Sequence, residues 1–264
     1  MPILTLLTDF GTADYYVAAV KGTLLRLAPG TTLVDISHEV PAGDVETAAF
    51  LLAAAASSFP DGTVHLAVVD PGVGSARRML AVRTASGLFV APDNGLLTPF
   101  LDGAAGVRSI ERQDLFLPSP GQTFHGRDRF APVAAWLLRG DPPAGRFELL
   151  GPAIADPVRL PFSPPHRGVG RIAGRVLHVD RYGNLVTDIP AVWLPPGPYR
   201  AEVGGHATAR RVSHYAEIPP GEAAMLAGSL GTLELSLNGE DLARHWNVAR
   251  GAAVDLTWRE EDLE

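Results

Sequence analysis

The chain is 264 residues long, 46% hydrophobic and 19% charged, with a formal net charge of -7 at pH 7. The apolar share is enough to bury a sizeable core and excludes a disordered chain. The acidic balance and the scattered arginines speak against a nucleic-acid backbone as partner, and the absence of cysteine removes disulfides, thiolate nucleophiles and Cys-ligated zinc.

Residues 3–7 are an apolar run closed by Thr8-Asp9-Phe10-Gly11, which predicts a buried strand ending in a turn. Residues 14–28 carry Val17, Val20, Leu24 and Leu27 at helical spacing, and Pro29-Gly30 stops the helix. Residues 32–36 are a second strand, and residues 44–57 an Ala-rich helix with Asp44 as N-cap. Residues 64–69 are a third strand, ended by Asp70-Pro71-Gly72. Residues 80–83 and 88–91 flank a turn and read as a hairpin, 95–101 as a short helix, and 130–138 as a helix with Pro132 in its first turn. Strands alternating with helices predict an α/β domain over residues 1–155, with a central, mostly parallel sheet and helices on both faces. Ligands of such sheets bind beyond the carboxyl ends of strands, where Asp9 and Asp70 fall.

From residue 151 to 170 the chain is rich in proline and poor in periodic apolar residues, so 156–170 reads as a linker. Short β-like runs follow at 171–179, 185–189, 199–203, 223–226, 233–237 and 253–258, with one helical segment at 239–246. Residues 171–264 are therefore expected to form a smaller β-barrel domain. The start of the chain lacks the basic n-region and cleavage site of a signal peptide. The longest apolar run, 48–56, is far shorter than the roughly 20 residues of a membrane span. The expectation is a soluble cytoplasmic protein without a membrane partner.

Four segments concentrate polar residues and glycine between apolar elements: TDFGTAD at 8–14, VDPGVGSARR at 69–78, TFHGRDR at 123–129 and DRYGN at 180–184. Loops presented by a rigid scaffold carry function. Asp9 is suited either to a vicinal diol, since a carboxylate accepts two hydroxyl bonds, or to a plain turn. Asp14 suits an ammonium group or a helix cap, and on the residues alone the cap is the better reading. Asp70, Arg77 and His125 have the chemistry to orient and polarise a water, a carboxylate or imidazole taking a proton and a guanidinium holding the geometry; the plainer readings are a turn residue for Asp70 before Pro-Gly and a solvated or hydrogen-bonded loop imidazole for His125. Gly72-Val73-Gly74 lacks the spacing of a phosphate loop, and His178 with Asp180 has no evident third metal ligand.

Taken together, TLLTDFGTADYYV, VVDPGVGSARR, APDNGLLTPF, TFHGRDRFAP, VDRYGNLVT and GSLGTLELSLNG resemble, in this order and over nearly the whole chain, the S-adenosyl-L-methionine (SAM) hydroxide adenosyltransferases. These are adenosine-forming SAM hydrolases related to the fluorinase and chlorinase. The resemblance implies an N-terminal α/β domain and a C-terminal β-barrel. It implies a homotrimer with each active site between the N-domain of one subunit and the C-domain of the next. The implied reaction is attack of water or hydroxide on the ribose C5′ of SAM, with no metal and no organic cofactor, by a set that falls here on Asp70, Arg77 and His125. It places Asp9 on the ribose diol, Asp14 and Asp180 on the methionine amino group, and Asn184 on the adenine edge. It also places Ser229 on the methionine carboxylate, Tyr215 against the adenine and Phe124 beside the attacked carbon.

The halogenase branch carries Tyr where this chain has Asp70 and Ser where it has Gly126, so the resemblance favours hydroxide over halide. Two further departures are Gly43, where the halogenases carry Trp, and Leu230, where they carry Arg. The alternatives are a SAM- or adenosine-binding module without turnover, a halide-using adenosyl transferase, and a nucleoside hydrolase that would release free adenine. A sulfonium is already a good leaving group, so the demand on the protein is to align a weak nucleophile with the C5′–S bond.

Overall fold

A computed structural model describes residues 2–140 and 143–259, and the chain divides into two compact units, Met1–Pro161 and Phe162–Glu264. In the first unit the elements run β1 (Ile3–Thr8), α1 (Tyr16–Leu27), β2 (Thr32–Ser37), α2 (Val45–Ala56), β3 (Thr63–Val68), β4 (Met79–Arg83), β5 (Gly87–Pro92), α3 (Thr98–Leu101), β6 (Gly106–Ser109) and α4 (Ala131–Leu138). The sheet order is β2-β1-β3-β5-β4-β6. Strands β2, β1, β3 and β5 pair in parallel, while β4 is antiparallel to both β5 and β6.

Period-2 alternation sends side chains to two separate cores. Leu4, Leu6, Leu66 and Val90 pack under α1 and α4, whereas Leu7, Ala67, Phe89 and Ala91 pack under α2 and α3. The result is a three-layer sandwich, with β1 and β3 both ending at the same sheet edge because they run parallel. Asp44 caps α2 as expected, accepting from Thr47 N at 3.0 Å. Helix α1 differs: its N-cap is Tyr15, with no side-chain capping bond, so Asp14 does not cap it. Pro132 does lie in the first turn of α4, directly after a π-helical turn at Gly126–Phe130.

The first part of the proline-rich stretch is held to the first unit. Arg78 bonds Asp156, and the amides of Val158 and Leu160 donate to Asp93 and Thr98. Beyond it β7 (His166–Gly168) pairs with β8 (Arg171–Val179). The second unit continues with β9 (Leu185–Pro190), β10 (Arg200–Val203), β11 (His206–Thr208), β12 (Ala223–Ala227), β13 (Thr232–Leu237), α5 (Leu242–Trp246) and β14 (Ala253–Thr257). Its antiparallel order is β11-β10-β14-β8-β9-β13-β12, with β7 on β8. The two ends approach closure, since Met225 N donates to Arg210 O at 2.9 Å and Thr208 Oγ1 to Ala223 O at 2.7 Å. Such closure leaves few unpaired strand edges. Among the described residues no helix is long and apolar enough to cross a membrane.

One buried polar group makes the first unit sensitive to acid. His65, 1% exposed on β3, bonds Thr5 Oγ1 at 2.8 Å and stacks on Phe89. Burial pushes its pKa down from 6.5 to about 4. The folded state therefore refuses a proton that the unfolded state accepts, so stability is lost as pH falls from 6.5 through about 4. The loss approaches roughly 3 kcal/mol, at about 1.4 kcal/mol per pKa unit. Urea unfolding of wild type and His65→Gln at neutral pH and near pH 4.5 checks this: wild type should lose more stability than the variant, and equal losses would contradict it.

Candidate active site

The loops that follow β1 and β3 hold the first group of side chains. Thr8 Oγ1 bonds His38 Nδ1 at 2.8 Å, and Gly11 N donates to His38 O at 2.8 Å, pinning the first loop to β2. Asp9 Oδ2 accepts from Gly43 N at 2.8 Å. Gly43 has φ 74, a backbone conformation that disfavours side chains, so the departure at this position serves to aim an amide at Asp9.

Asp70 lies two residues past β3, and Arg77 returns along the same loop. Arg77 Nε donates to Asp70 Oδ1 at 2.8 Å and Arg77 Nη2 to Asp70 Oδ2, a two-point grip. Nη2 also lies 3.0 Å from His125 Nδ1, so the three residues singled out in the sequence are one connected group. Both members of the ion pair are shielded, with side-chain exposures of 5% for Asp70 and 11% for Arg77. Because a guanidinium only donates, Nδ1 of His125 must present its lone pair, which leaves the single imidazole proton on Nε2. Nε2 is buried and has no hydrogen-bond partner among the described residues. Burial lowers the His125 pKa, and the nearby Arg129 and Arg77 charges lower it further.

His125 opens the π-helical turn. Arg77 packs over the ring of Phe130, at the far end of that turn, at 5.2 Å from its centroid. Asp9, Asp70, Phe124 and His125 line one cavity of about 450 Å³, together with Phe10, Tyr15 and Tyr16. Phe124 is set edge-on to Phe10 (6.1 Å) and Tyr16 (5.3 Å), and Arg127 covers it at 4.7 Å. Gly126 lines the same cavity, and a β-carbon there would come within 3.2 Å of the Phe10 ring. Asp14 is exposed and lies outside this lining.

Asp180, Asn184 and Tyr215 line a separate cavity of about 690 Å³ in the second unit. Asp180 is the hinge of its own turn, accepting from Tyr182 N (2.8 Å), Asn184 N (2.9 Å) and Asn184 Nδ2 (2.9 Å). Ser236 Oγ donates to Asn184 Oδ1 at 2.6 Å. Asn184 thus keeps one N–H and one lone pair uncommitted. Gly183, at φ 81, is required there, since a β-carbon would fall 2.1 Å from Asp241 Oδ1, the cap of α5. Tyr215 OH donates to Glu234. Burial first, then this bond, pushes the Tyr215 hydroxyl well up, and burial also raises Glu234. Ser229 is exposed on the turn between β12 and β13 and does not line this cavity.

The sequence reading missed Phe10, Tyr15 and Tyr16 as wall residues because Tyr15 and Tyr16 were absorbed into the start of a helix. It also missed Glu234 and Ser236. Their signal is the pattern LELSL, where polar residues alternate with Leu233, Leu235 and Leu237 on one strand.

The site-bearing scaffold is thus a three-layer α/β unit with two loop carboxylates at its strand ends, followed in the chain by a nearly closed antiparallel barrel. The SAM hydroxide adenosyltransferase N-terminal domain model matches residues 4–146, and the corresponding C-terminal domain model matches residues 174–255. The chain belongs to this family. It is 39% identical over 261 residues to a protein of Salinispora tropica named (R)-S-adenosyl-L-methionine hydrolase, covering 97% of this chain and 98% of that protein. It is 42% identical over 259 residues to a Thermus thermophilus protein of the same name, covering 95% and 97%. A fluorinase of an Actinoplanes species is 27% identical over 298 residues, covering 97% of each chain. Among solved structures, a conserved protein from Thermotoga maritima superposes with a TM-score of 0.89 at 34% identity, covering 97% of this chain and 100% of that one.

The lowered His125 pKa gives a direct expectation. Proton NMR of the imidazole should show titration with a midpoint below 6.5, and Arg77→Ala should change that midpoint, because the guanidinium both repels the imidazolium and needs the Nδ1 lone pair. An unshifted midpoint in wild type would contradict the arrangement.

Proposed function

We propose that the protein hydrolyses SAM to adenosine and L-methionine, and that Asp70, Arg77 and His125 activate the water. The observation that carries this reading is the Arg77 bridge between Asp70 and His125 on the wall of the N-terminal cavity. Family membership and the names of relatives at 36–42% identity support it. In the step, the water oxygen forms a bond to C5′ while the C5′–S bond breaks. The electron pair goes to sulfur, turning the sulfonium into the neutral thioether of methionine, so no acid is needed. His125 donates its Nε2 proton toward the water oxygen and holds it in line. Asp70, which keeps lone pairs beyond its two bonds from Arg77, takes the proton. No metal or organic cofactor enters this reaction.

Asp9 holds the ribose diol and Phe124 packs beside C5′. Asp14 and Asp180 take the methionine ammonium, and Ser229 its carboxylate. Asn184, with one N–H and one lone pair left, matches the paired donor and acceptor on an adenine edge, and Tyr215 covers the ring. Asp14 and Ser229 are exposed, as groups are that meet a ligand only when another surface closes over them. On the family resemblance we further propose a homotrimer with the complete site between subunits, in the cytoplasm. The Asp70 carboxylate, held by Arg77 where the halogenases carry Tyr, offers an acceptor for the proton of a water, which a halide nucleophile does not have.

Purified protein is incubated with SAM in oxygen-18 water, with and without chloride and fluoride, and the products are resolved by liquid chromatography and mass spectrometry. The relatives' names specify the R form, so both epimers are supplied. Labelled adenosine plus methionine is expected. Bound but intact SAM, free adenine or a halogenated nucleoside would each overturn the reading in favour of a binding module, a nucleoside hydrolase or a halide transferase. Asp70→Asn and His125→Ala should lower kcat by about 10²–10⁴-fold with smaller changes in KM. Full rates in both variants would remove the triad from the mechanism.

A further inference from the structure

Glu234 is a buried carboxylate that the proposed reaction does not use. It is 6% exposed on β13, between the fully buried Leu233 and Leu235. A carboxylate in such a place is costly unless it is bonded, and its partner is the hydroxyl of Tyr215. Its other oxygen faces Gly228: a β-carbon on that residue would lie 2.8 Å from Glu234 Oε2. Gly228 opens the turn that carries Ser229, closed by Gly231 N→Gly228 O at 3.0 Å and Gly228 N→Thr232 O at 2.8 Å. One carboxylate therefore stands between the Tyr215 ring and the turn bearing Ser229.

Tyr215 needs such an anchor. It lies in a single 3₁₀ turn, Tyr215–Glu217, and is 49% exposed, so packing holds it on one side only. A ring in that position has several side-chain rotamers open to it. A bond from the hydroxyl at its tip selects one of them. On the same strand, two residues on and therefore on the same face, Ser236 does the equivalent service for Asn184.

The geometry points to Glu234 as a positioning residue: it fixes the Tyr215 ring as the flat wall on which a purine stacks in the C-terminal cavity, while Ser236 fixes the residue that reads the purine edge. The proposal deepens the function stated above and rests on it for the identity of the purine as adenosine. It assigns Glu234 no contact with the reacting atoms.

The test uses the full-length protein with Tyr215→Phe, Glu234→Leu, which removes the acceptor, and the double variant. Adenosine affinity is read by calorimetry, and KM and kcat for SAM by product formation. Each single substitution is expected to weaken adenosine binding and raise KM by about 3- to 10-fold, the scale of one hydrogen bond, with kcat changed less than about twofold. The double variant should be no worse than the weaker single one, because both changes remove the same bond. Tyr215→Phe keeps the ring in a half-exposed place and decides the matter even if Glu234→Leu fails to fold. Unchanged adenosine affinity in Tyr215→Phe, or effects that multiply in the double variant, would overturn the pairing while leaving SAM hydrolysis intact. A wild-type protein that binds adenosine but leaves SAM whole would overturn the hydrolase reading alone, and one that binds no adenosine would overturn both.

Discussion

The N-terminal site is organised by one guanidinium. Arg77 has five N–H groups and no lone pair, so every group that faces it must present an acceptor. Asp70 meets it with both oxygens and His125 with Nδ1. The tautomer of the imidazole, and with it the direction in which a proton moves, follows from that single contact. The guanidinium is fixed in turn by the Phe130 ring beneath it. Carboxylate, imidazole and aromatic support thus belong to two loops that meet only because β3 ends beside the π-helical turn.

The second unit solves a different problem with less charge. Strand β13 turns Leu233, Leu235 and Leu237 into the barrel core and leaves Glu234 and Ser236 on the opposite face. Those two polar side chains reach Tyr215 and Asn184, residues that lie 19 and 52 positions away along the chain. A strand is well suited to this task, since its neighbouring same-face positions are held at a regular spacing by ladder bonds on both sides.

Much of this was legible in the residues. The alternation of apolar runs and Ala-rich helices located the parallel strands, and the ends of β1 and β3 then placed Asp9 and Asp70 on one edge. Asp44 announced its cap by position. Other features were not legible because they depend on partners distant in the chain. The role of Gly43 is visible only once its amide is seen to point at Asp9. Asp14 has the residue type of a helix cap, yet the helix begins later, at Tyr16, and the side chain is left exposed. Tyr15 and Tyr16 carry helical spacing but belong to the aromatic wall around Phe124. Short strands such as β7 and β11 have three residues each, too few for alternation to register.

The π-helical turn at Gly126–Phe130 bears on how this loop can change over time. Its closing bond runs from Ala131 N to Gly126 O, five residues back rather than four. The turn thus stores one residue more than an ordinary helix would. Losing that residue would rotate everything before it by about 100° around the helix axis, carrying His125 away from Arg77 while Phe130 stayed in place. An insertion or deletion in the turn would therefore break the Arg77–His125 contact, which depends on the length of the loop as much as on the imidazole itself.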